Sequence, residues 1–254
     1  VTRSVLVTGG AKRLGAAIGR ACAAAGWRVV IHYGSSKDAA EALAAEIGGV
    51  TVKGDLANVG DLFDRAVAAN GGPVHALVNS ASRFEEDRPE AIDADLAARL
   101  YAINCTAPAL LAAALAAQPT LASGAIVNLL DQKLANPNSD FFSYSLTKYA
   151  LAGATEMMAM AFAPRVRVNA VAPGLTLPSG DQSTEEFDRV ARANLLERPV
   201  GAANVAAAVT YLLDAPSVTG QTIYVDAGQR FLKRDGDVMF DGRDRSGTDG
   251  TANG

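Results

Sequence analysis

Seven short, continuously apolar runs alternate with longer Ala- and Leu-rich stretches of helical spacing, and this alternation constrains the chain more than any other feature. The runs are Ser4–Thr8, Arg28–His32, Val50–Lys53, His75–Asn79, Ala125–Leu129, Arg167–Val171 and Thr222–Val225. Between them lie Leu14–Ala25, Asp38–Ile47, Val59–Ala69, Ala94–Ala117, Ser143–Phe162 and Ala203–Leu213, each expected to be a helix. Strands that are apolar on both faces belong to a parallel sheet covered on both sides. Right-handed crossovers with short connections then give a doubly wound, Rossmann-type α/β domain. No linker or internal repeat divides the chain, so residues 1–234 read as one domain.

Composition narrows the function classes. The 254 residues are 49% hydrophobic, enough for a sizeable core, and carry a net charge of -4. That balance leaves no electrostatic footprint for nucleic acid or an anionic membrane. Cys22 and Cys105 are too few for a disulfide framework or a metal cluster, which fits a reducing, cytoplasmic compartment. No apolar run is expected to reach the ~18 residues of a membrane span. The stretch from Ala107 to Ala117 stops at Gln118 and Pro119, and Ser4-Val5-Leu6-Val7 reads as a first strand rather than a signal peptide. Two segments break the rhythm. Gly174–Leu196 is long and rich in Pro, Gly and acidic residues, with a short helix expected at Glu185–Ala193; its place after a strand suits a lid over a substrate. Residues 235–254 hold five Asp, two Arg and five Gly. They read as a disordered tail, with one docking contact by Phe240 in the cluster Val238-Met239-Phe240.

The first chemical signal follows strand one directly: Thr8-Gly9-Gly10-Ala11-Lys12-Arg13-Leu14-Gly15, opening a helix. Glycines there let backbone N–H groups approach a pyrophosphate, and the helix N-terminus adds positive potential. NAD-selective sites place a carboxylate near the end of strand two, to hold the ribose 2'-hydroxyl. Here that strand runs into His32-Tyr33-Gly34-Ser35-Ser36, with no acid before Asp38. Lys12 and Arg13 instead bring two positive charges, and a guanidinium fork suits a phosphate. The joint pattern favours NADP(H), against the plainer reading of two solvated surface cations.

The second signal is Tyr144 and Lys148, four residues apart on one helical face. For a phenol to act as a base near neutral pH, its pKa must fall by about three units, roughly 4 kcal/mol. An ammonium at ~4 Å and an effective dielectric near 20 supplies about that much. The pair therefore has the means for proton transfer.

With Gly54-Asp55-Leu56, Asn79-Ser80-Ala81-Ser82, Asn104 and Asn169-Ala170-Val171-Ala172-Pro173-Gly174, these motifs resemble the short-chain dehydrogenase/reductase family from roughly Ser4 to Phe231. The resemblance implies that Gly9, Leu14, Asp55, Leu56, Ser80 and Ala81 line the adenosine and pyrophosphate side of the cofactor. It implies that Lys148 binds the nicotinamide ribose, that Pro173, Gly174 and Leu175 flank the nicotinamide, and that Asn104 holds a water in a proton relay. Asn104 is otherwise simply a polar residue that kinks its helix.

Three departures from the family pattern occur together: Asp131 at the usual catalytic Ser position, Arg13 in the phosphate turn, and Ser80-Ala81-Ser82 followed by Arg83-Phe84. Their combination is similar to the pteridine reductase and dihydromonapterin reductase subgroup. That similarity implies that Arg13 reaches pyrophosphate and substrate and that His32, Tyr33 and Ser36 hold the 2'-phosphate. Ser82 would contact cofactor and substrate, and Phe84 would stack the substrate ring against the nicotinamide. An acid at 131 suits protonation of a ring nitrogen, and a closed pocket raises its pKa; otherwise Asp131 caps local structure or pairs with Lys133. The expected partner is a pterin-like small molecule, in a homodimer or homotetramer paired through the Ala-, Leu- and Met-rich helices. A carbonyl reductase of ketone or oxoacyl substrates, and a non-catalytic dinucleotide sensor, are the competing readings.

Overall fold

A computed structural model describes residues 3–178, 183–234 and 236–237. Seven strands, β1 (Ser4–Val7), β2 (Arg28–Tyr33), β3 (Val50–Lys53), β4 (Ala76–Asn79), β5 (Gly124–Leu129), β6 (Val166–Pro173) and β7 (Thr222–Val225), form one sheet. They pair in the order β3-β2-β1-β4-β5-β6-β7, and every pair is parallel. The single Rossmann-type layer expected from the alternation is therefore present. Its order reverses between β1 and β4, and such a switch point opens a crevice at the strands' C-terminal ends.

The α-helices among the described residues are α1 (Arg13–Ala24), α2 (Lys37–Ile47), α3 (Leu62–Asn70), α4 (Ala94–Tyr101), α5 (Ala107–Ala117), α6 (Phe142–Phe162), α7 (Thr184–Ala191) and α8 (Ala202–Asp214). Successive strand residues face opposite sides. Val5, Val7, Val29, Ile31 and Val78 thus pack with Ile18, Val205 and Val209 from α1 and α8. Leu6, Val30, Leu77 and Ile126 pack with Leu62, Leu111 and Leu115 from α3 and α5 on the other face. Each such fully buried aliphatic side chain stabilises the fold by about 1.5–3 kcal/mol.

The expected helix Ala94–Ala117 is continuous but not uniform, because a π-helical turn at Ala102–Thr106 joins α4 to α5 around Asn104. Its 24 residues are long and apolar enough to cross a membrane by length and composition alone. This corrects the expectation that no segment reaches that length: alanines carry the apolar run back through the π turn. Half of the apolar window is buried within the protein, with Leu100, Leu111 and Leu115 fully inside. In the long connection after β6, α7 starts and ends slightly earlier than expected and is closed by a capping box between Ser183 and Glu186. Of the tail, residues 236 and 237 are described, and Asp237 pairs with Lys133. Phe240 and the rest of 238–254 lie outside the described residues.

Candidate active site

The crevice is assembled from backbone first. The Thr8 hydroxyl accepts hydrogen bonds from Ser80 N (3.0 Å) and Ala81 N (3.1 Å), which ties the loop after β4 to the turn after β1. Gly9 adopts φ +61°, and a Cβ there would stand 3.0 Å from Ala81 Cα. A Cβ on Gly15 would stand 2.2 Å from Gly9 O, so only glycine lets α1 begin this close to the turn. Arg13 itself sits at φ +53°, which aims its guanidinium across the crevice to donate to Pro178 O at 2.5 Å.

His32 braces this turn from below. Its Nδ1 accepts from Gly9 N at 3.1 Å, and its Nε2 lies 3.3 Å from Gly54 O, which makes Nε2 the protonated nitrogen. Burial pushes the imidazole down from 6.5 to about 4, so it is neutral at physiological pH. Tyr33 is also buried, packed within the core under α1 and α2. Both lie at the C-terminal end of β2, an interior strand, with their side chains in the core and under the turn. Lys12 is exposed and Ser36 half-buried in the same corner. The Ser36 hydroxyl makes no capping bond to α2. Asp55 is exposed and caps its own turn through Ala57 N at 2.9 Å. Leu56 packs against the core on the α3 side.

Across the crevice, Asp131 leaves the end of β5 and Tyr144 rises from the first turn of α6. The Tyr144 hydroxyl donates to Asp131 Oδ2 at 2.9 Å, while Asp131 Oδ1 accepts from Lys133 N at 2.9 Å and caps the short turn Gln132–Leu134. The capping and the chemical roles of Asp131 are thus compatible, one oxygen each. Burial is the main cause raising the Asp131 carboxyl, opposed first by the Lys133 N–H. Burial also lifts Tyr144 well above the ordinary phenol value, with the Asp131 charge second.

Lys148 shares the Tyr144 face of α6 and lines the same cavity. Its ammonium donates to Leu129 O at 2.8 Å and stands 5.5 Å from the Tyr144 ring centroid. Desolvation lowers it to about 8, and Asp131 opposes that shift. Burial and the Asp131 charge both favour the protonated form of the phenol in this arrangement.

The Asn104 side chain is fully hydrogen-bonded within the protein. Its Oδ1 accepts from Arg83 N (2.8 Å) and the Ser82 hydroxyl (3.2 Å), and its Nδ2 donates to Arg83 O (2.9 Å) and Thr147 Oγ1 (3.2 Å). An amide has two donor hydrogens and two lone pairs, so this side chain has nothing left for a water. It also holds Ser82, whose hydroxyl contacts Tyr144.

A cavity of about 260 Å³ brings together Arg13, Leu14, Ser80, Ser82, Phe84, Asp131, Tyr144, Lys148, Pro173, Gly174 and Leu175 from the expected set. Gly9, Lys12, His32, Tyr33, Ser36, Asp55, Leu56, Ala81 and Asn104 are outside its lining. Asp55 lines a separate depression with Gly34, Lys53, Gly54 and Arg65. Phe84 stacks on Phe141 at 4.0 Å between centroids and meets Tyr144 edge-on at 4.7 Å, with 37% of its surface still exposed.

Sequence reasoning missed Gln132, Lys133, Gln229 and Asp237, which also line the cavity. Gln229 accepts from Leu175 N at 2.8 Å, and a Cβ on Gly174 would stand 2.6 Å from its Oε1. No local pattern marks such residues; only the neighbouring Asp131 hinted at Lys133.

These features fit a dinucleotide: a glycine cradle that side chains would fill, an N-terminal helix end beyond it, and a lysine and a phenol at the far end of the crevice. A family model described as enoyl-(acyl carrier protein) reductase matches residues 9–230. Pteridine reductase 1 of Leishmania tarentolae is 32% identical over 273 residues, covering 88% of this chain and 94% of its own. The 3-oxoacyl-[acyl-carrier-protein] reductase FabG of Staphylococcus aureus (strain Mu50 / ATCC 700699) is 30% identical over 251 residues, covering 90% of this chain and 98% of its own. The crystal structure of FolM alternative dihydrofolate reductase 1 from Brucella canis, complexed with NADP, superposes with a TM-score of 0.87 at 40% identity, covering 91% of this chain and 95% of that one. By its matched family model, its sheet order and its paired Tyr144 and Lys148, the chain belongs to the short-chain dehydrogenase/reductase family of oxidoreductases.

Proposed function

We propose that the protein is an NADPH-dependent reductase that converts a dihydropterin to a tetrahydropterin. The observation that carries this reading is the Asp131 carboxyl, hydrogen-bonded to the Tyr144 hydroxyl in a cavity that also holds Arg13 and Phe84. The cofactor, when bound, supplies a hydride to the carbon of a C=N bond. Tyr144 delivers a proton to the nitrogen, and Asp131, raised by burial, returns one to the phenolate. Arg13 counters negative charge at the pyrophosphate and on the ring. Lys148 holds the ribose, and Phe84 offers an aromatic surface for a planar heterocycle. Lys12, Ser36 and the absence of an acid before Asp38 support NADPH over NADH. The relatives named pteridine reductase and alternative dihydrofolate reductase support the substrate class.

The FabG relative favours a second reading, reduction of an oxoacyl carbonyl. Against it, a carboxyl stands where a neutral hydroxyl would polarise C=O. We also read self-association through α4, α5 and α6, whose outer faces expose Tyr101, Leu110, Leu146, Met157 and Met160. The test of function is NADPH oxidation with 7,8-dihydrobiopterin or dihydromonapterin beside an acetoacetyl thioester. Turnover on the pterin alone supports the reading; turnover on the thioester alone refutes the substrate.

A further inference from the structure

The C-terminal segment re-enters the site. Asp237 lines the same cavity as Asp131 and Tyr144, and its Oδ2 is 3.1 Å from Lys133 Nζ. Both side chains are nearly closed to solvent, at 12% and 4% exposure. The Lys133 ammonium also donates to Asp140 O at 2.6 Å, and the Asp237 N–H donates to Asp140 Oδ2 at 2.7 Å. Asp140 Oδ1 in turn pairs with Arg88 Nη2 at 3.0 Å. Three stretches of chain are thereby joined: the tail, the turn after β5 that carries Asp131, and the loop leading into α6. A buried ion pair repays its desolvation only when its geometry is well satisfied, and this one lies two residues from the candidate proton donor.

The charges around Asp131 come from every side. Lys133 stands on its own turn, Tyr144 and Lys148 on α6, Arg13 on the turn after β1, and Asp237 on the tail. Arg230, after β7, is turned toward Asp226 at 3.4 Å. Lys133 alone would favour an ionised Asp131. Asp237 engages that ammonium and adds a negative charge that favours the protonated form of both Asp131 and Tyr144.

We propose that Asp237 is a positioning residue for proton delivery: latched by Lys133, it completes the cavity wall and holds the Asp131–Tyr144 pair in its donating arrangement. The proposal rests on the reading of Asp131 and Tyr144 as proton donors, and it applies to whichever substrate the enzyme turns over.

The experiment compares wild type, Asp237→Asn and Asp237→Glu as full chains, measuring kcat and KM across pH, NADPH affinity by fluorescence, and melting temperature. Asn keeps the shape and a hydrogen bond to Lys133 but removes the charge. Its kcat should fall about three- to tenfold on the alkaline side, the loss that a half-unit to one-unit shift of the limb produces. The alkaline limb of its kcat profile should move down by about half a unit to one unit. NADPH affinity should not change, and Glu should restore the profile. A kcat–pH profile for Asn that overlies wild type, or a loss confined to melting temperature or NADPH affinity, overturns the proposal. Should Asn fail to fold, Asp237→Ala is read by the same criteria. A wild type that reduces only carbonyl compounds would sink the pterin reading while leaving this test readable on the carbonyl substrate. A Tyr144→Phe enzyme with full kcat would sink the donor assignment, and this proposal with it.

Discussion

Replacing His32 with Gln isolates one group whose titration the structure ties to both stability and cofactor binding. The imidazole is 3% exposed, accepts from Gly9 N and faces Gly54 O, and its pKa falls from 6.5 to about 4. A depressed folded-state pKa means stability that is present above the unfolded value and lost as pH drops toward the folded one. From linkage, wild type should lose about 2 kcal/mol by pH 5 and about 3 kcal/mol by pH 4, relative to pH 7, through this residue. Gln provides an acceptor and a donor in the same place but does not titrate. Carboxylates and His75 titrate in both proteins, so they cancel in the difference between them. The assay is urea unfolding of wild type and His32→Gln at several pH values between 7 and 4.5, with NADPH affinity measured in parallel. The stability difference should change steadily in favour of Gln as pH falls. Protonated His32 cannot accept from Gly9 N, so wild-type NADPH affinity should weaken over the same range, and that of the Gln variant should weaken less. A difference that stays flat across this range would refute a buried neutral histidine as the brace of the turn.

Tyr144→Phe should cut kcat by about 10²- to 10⁴-fold, the loss of a positioned acid, while fluorescence titration finds NADPH affinity unchanged. Gly174→Ala places a methyl 2.6 Å from Gln229 Oε1 and 2.9 Å from Asp226 Cα. It should cost about 1–3 kcal/mol in denaturant unfolding and weaken NADPH binding, because Leu175 N loses its fixed acceptor. NADPH should bind about tenfold to a hundredfold better than NADH, the worth of one or two charge-assisted hydrogen bonds to a 2'-phosphate; equal affinities by calorimetry would refute the charge argument around Lys12, Arg13 and Ser36. Met160 is 75% exposed on α6, and Met160→Asp should shift size-exclusion elution toward a smaller species if that face joins copies of the chain.

Much of the frame was legible in the residues themselves. Apolar runs such as Val29–Ile31 admit only an interior parallel strand, and the glycines at 9 and 15 mark a turn too tight for side chains. The four-residue spacing of Tyr144 and Lys148 correctly places them on one helical face. It says nothing about where the ammonium points, and Leu129 O, nineteen positions away, takes it. Asn104 carries a motif, yet its amide is fully used by Arg83, Ser82 and Thr147. Nor does the sequence show that the His32 imidazole is buried and braces the turn through Gly9 N, because that follows from β2 lying inside the sheet.

The sequence by itself determined the layered fold and the phosphate-type turn, since periodicity and glycine placement are local constraints that each element must satisfy alone; Asp131 stood out only through the resemblance to a family that usually carries a Ser there. Only the tertiary structure decided that Asp131 and Tyr144 share a hydrogen bond, that the Lys148 ammonium is anchored on Leu129 O, and that Asp237 lines the cavity wall. Those outcomes depend on groups far apart in the chain meeting where water is excluded, and there the neighbours and their burial set which proton is held and which is given.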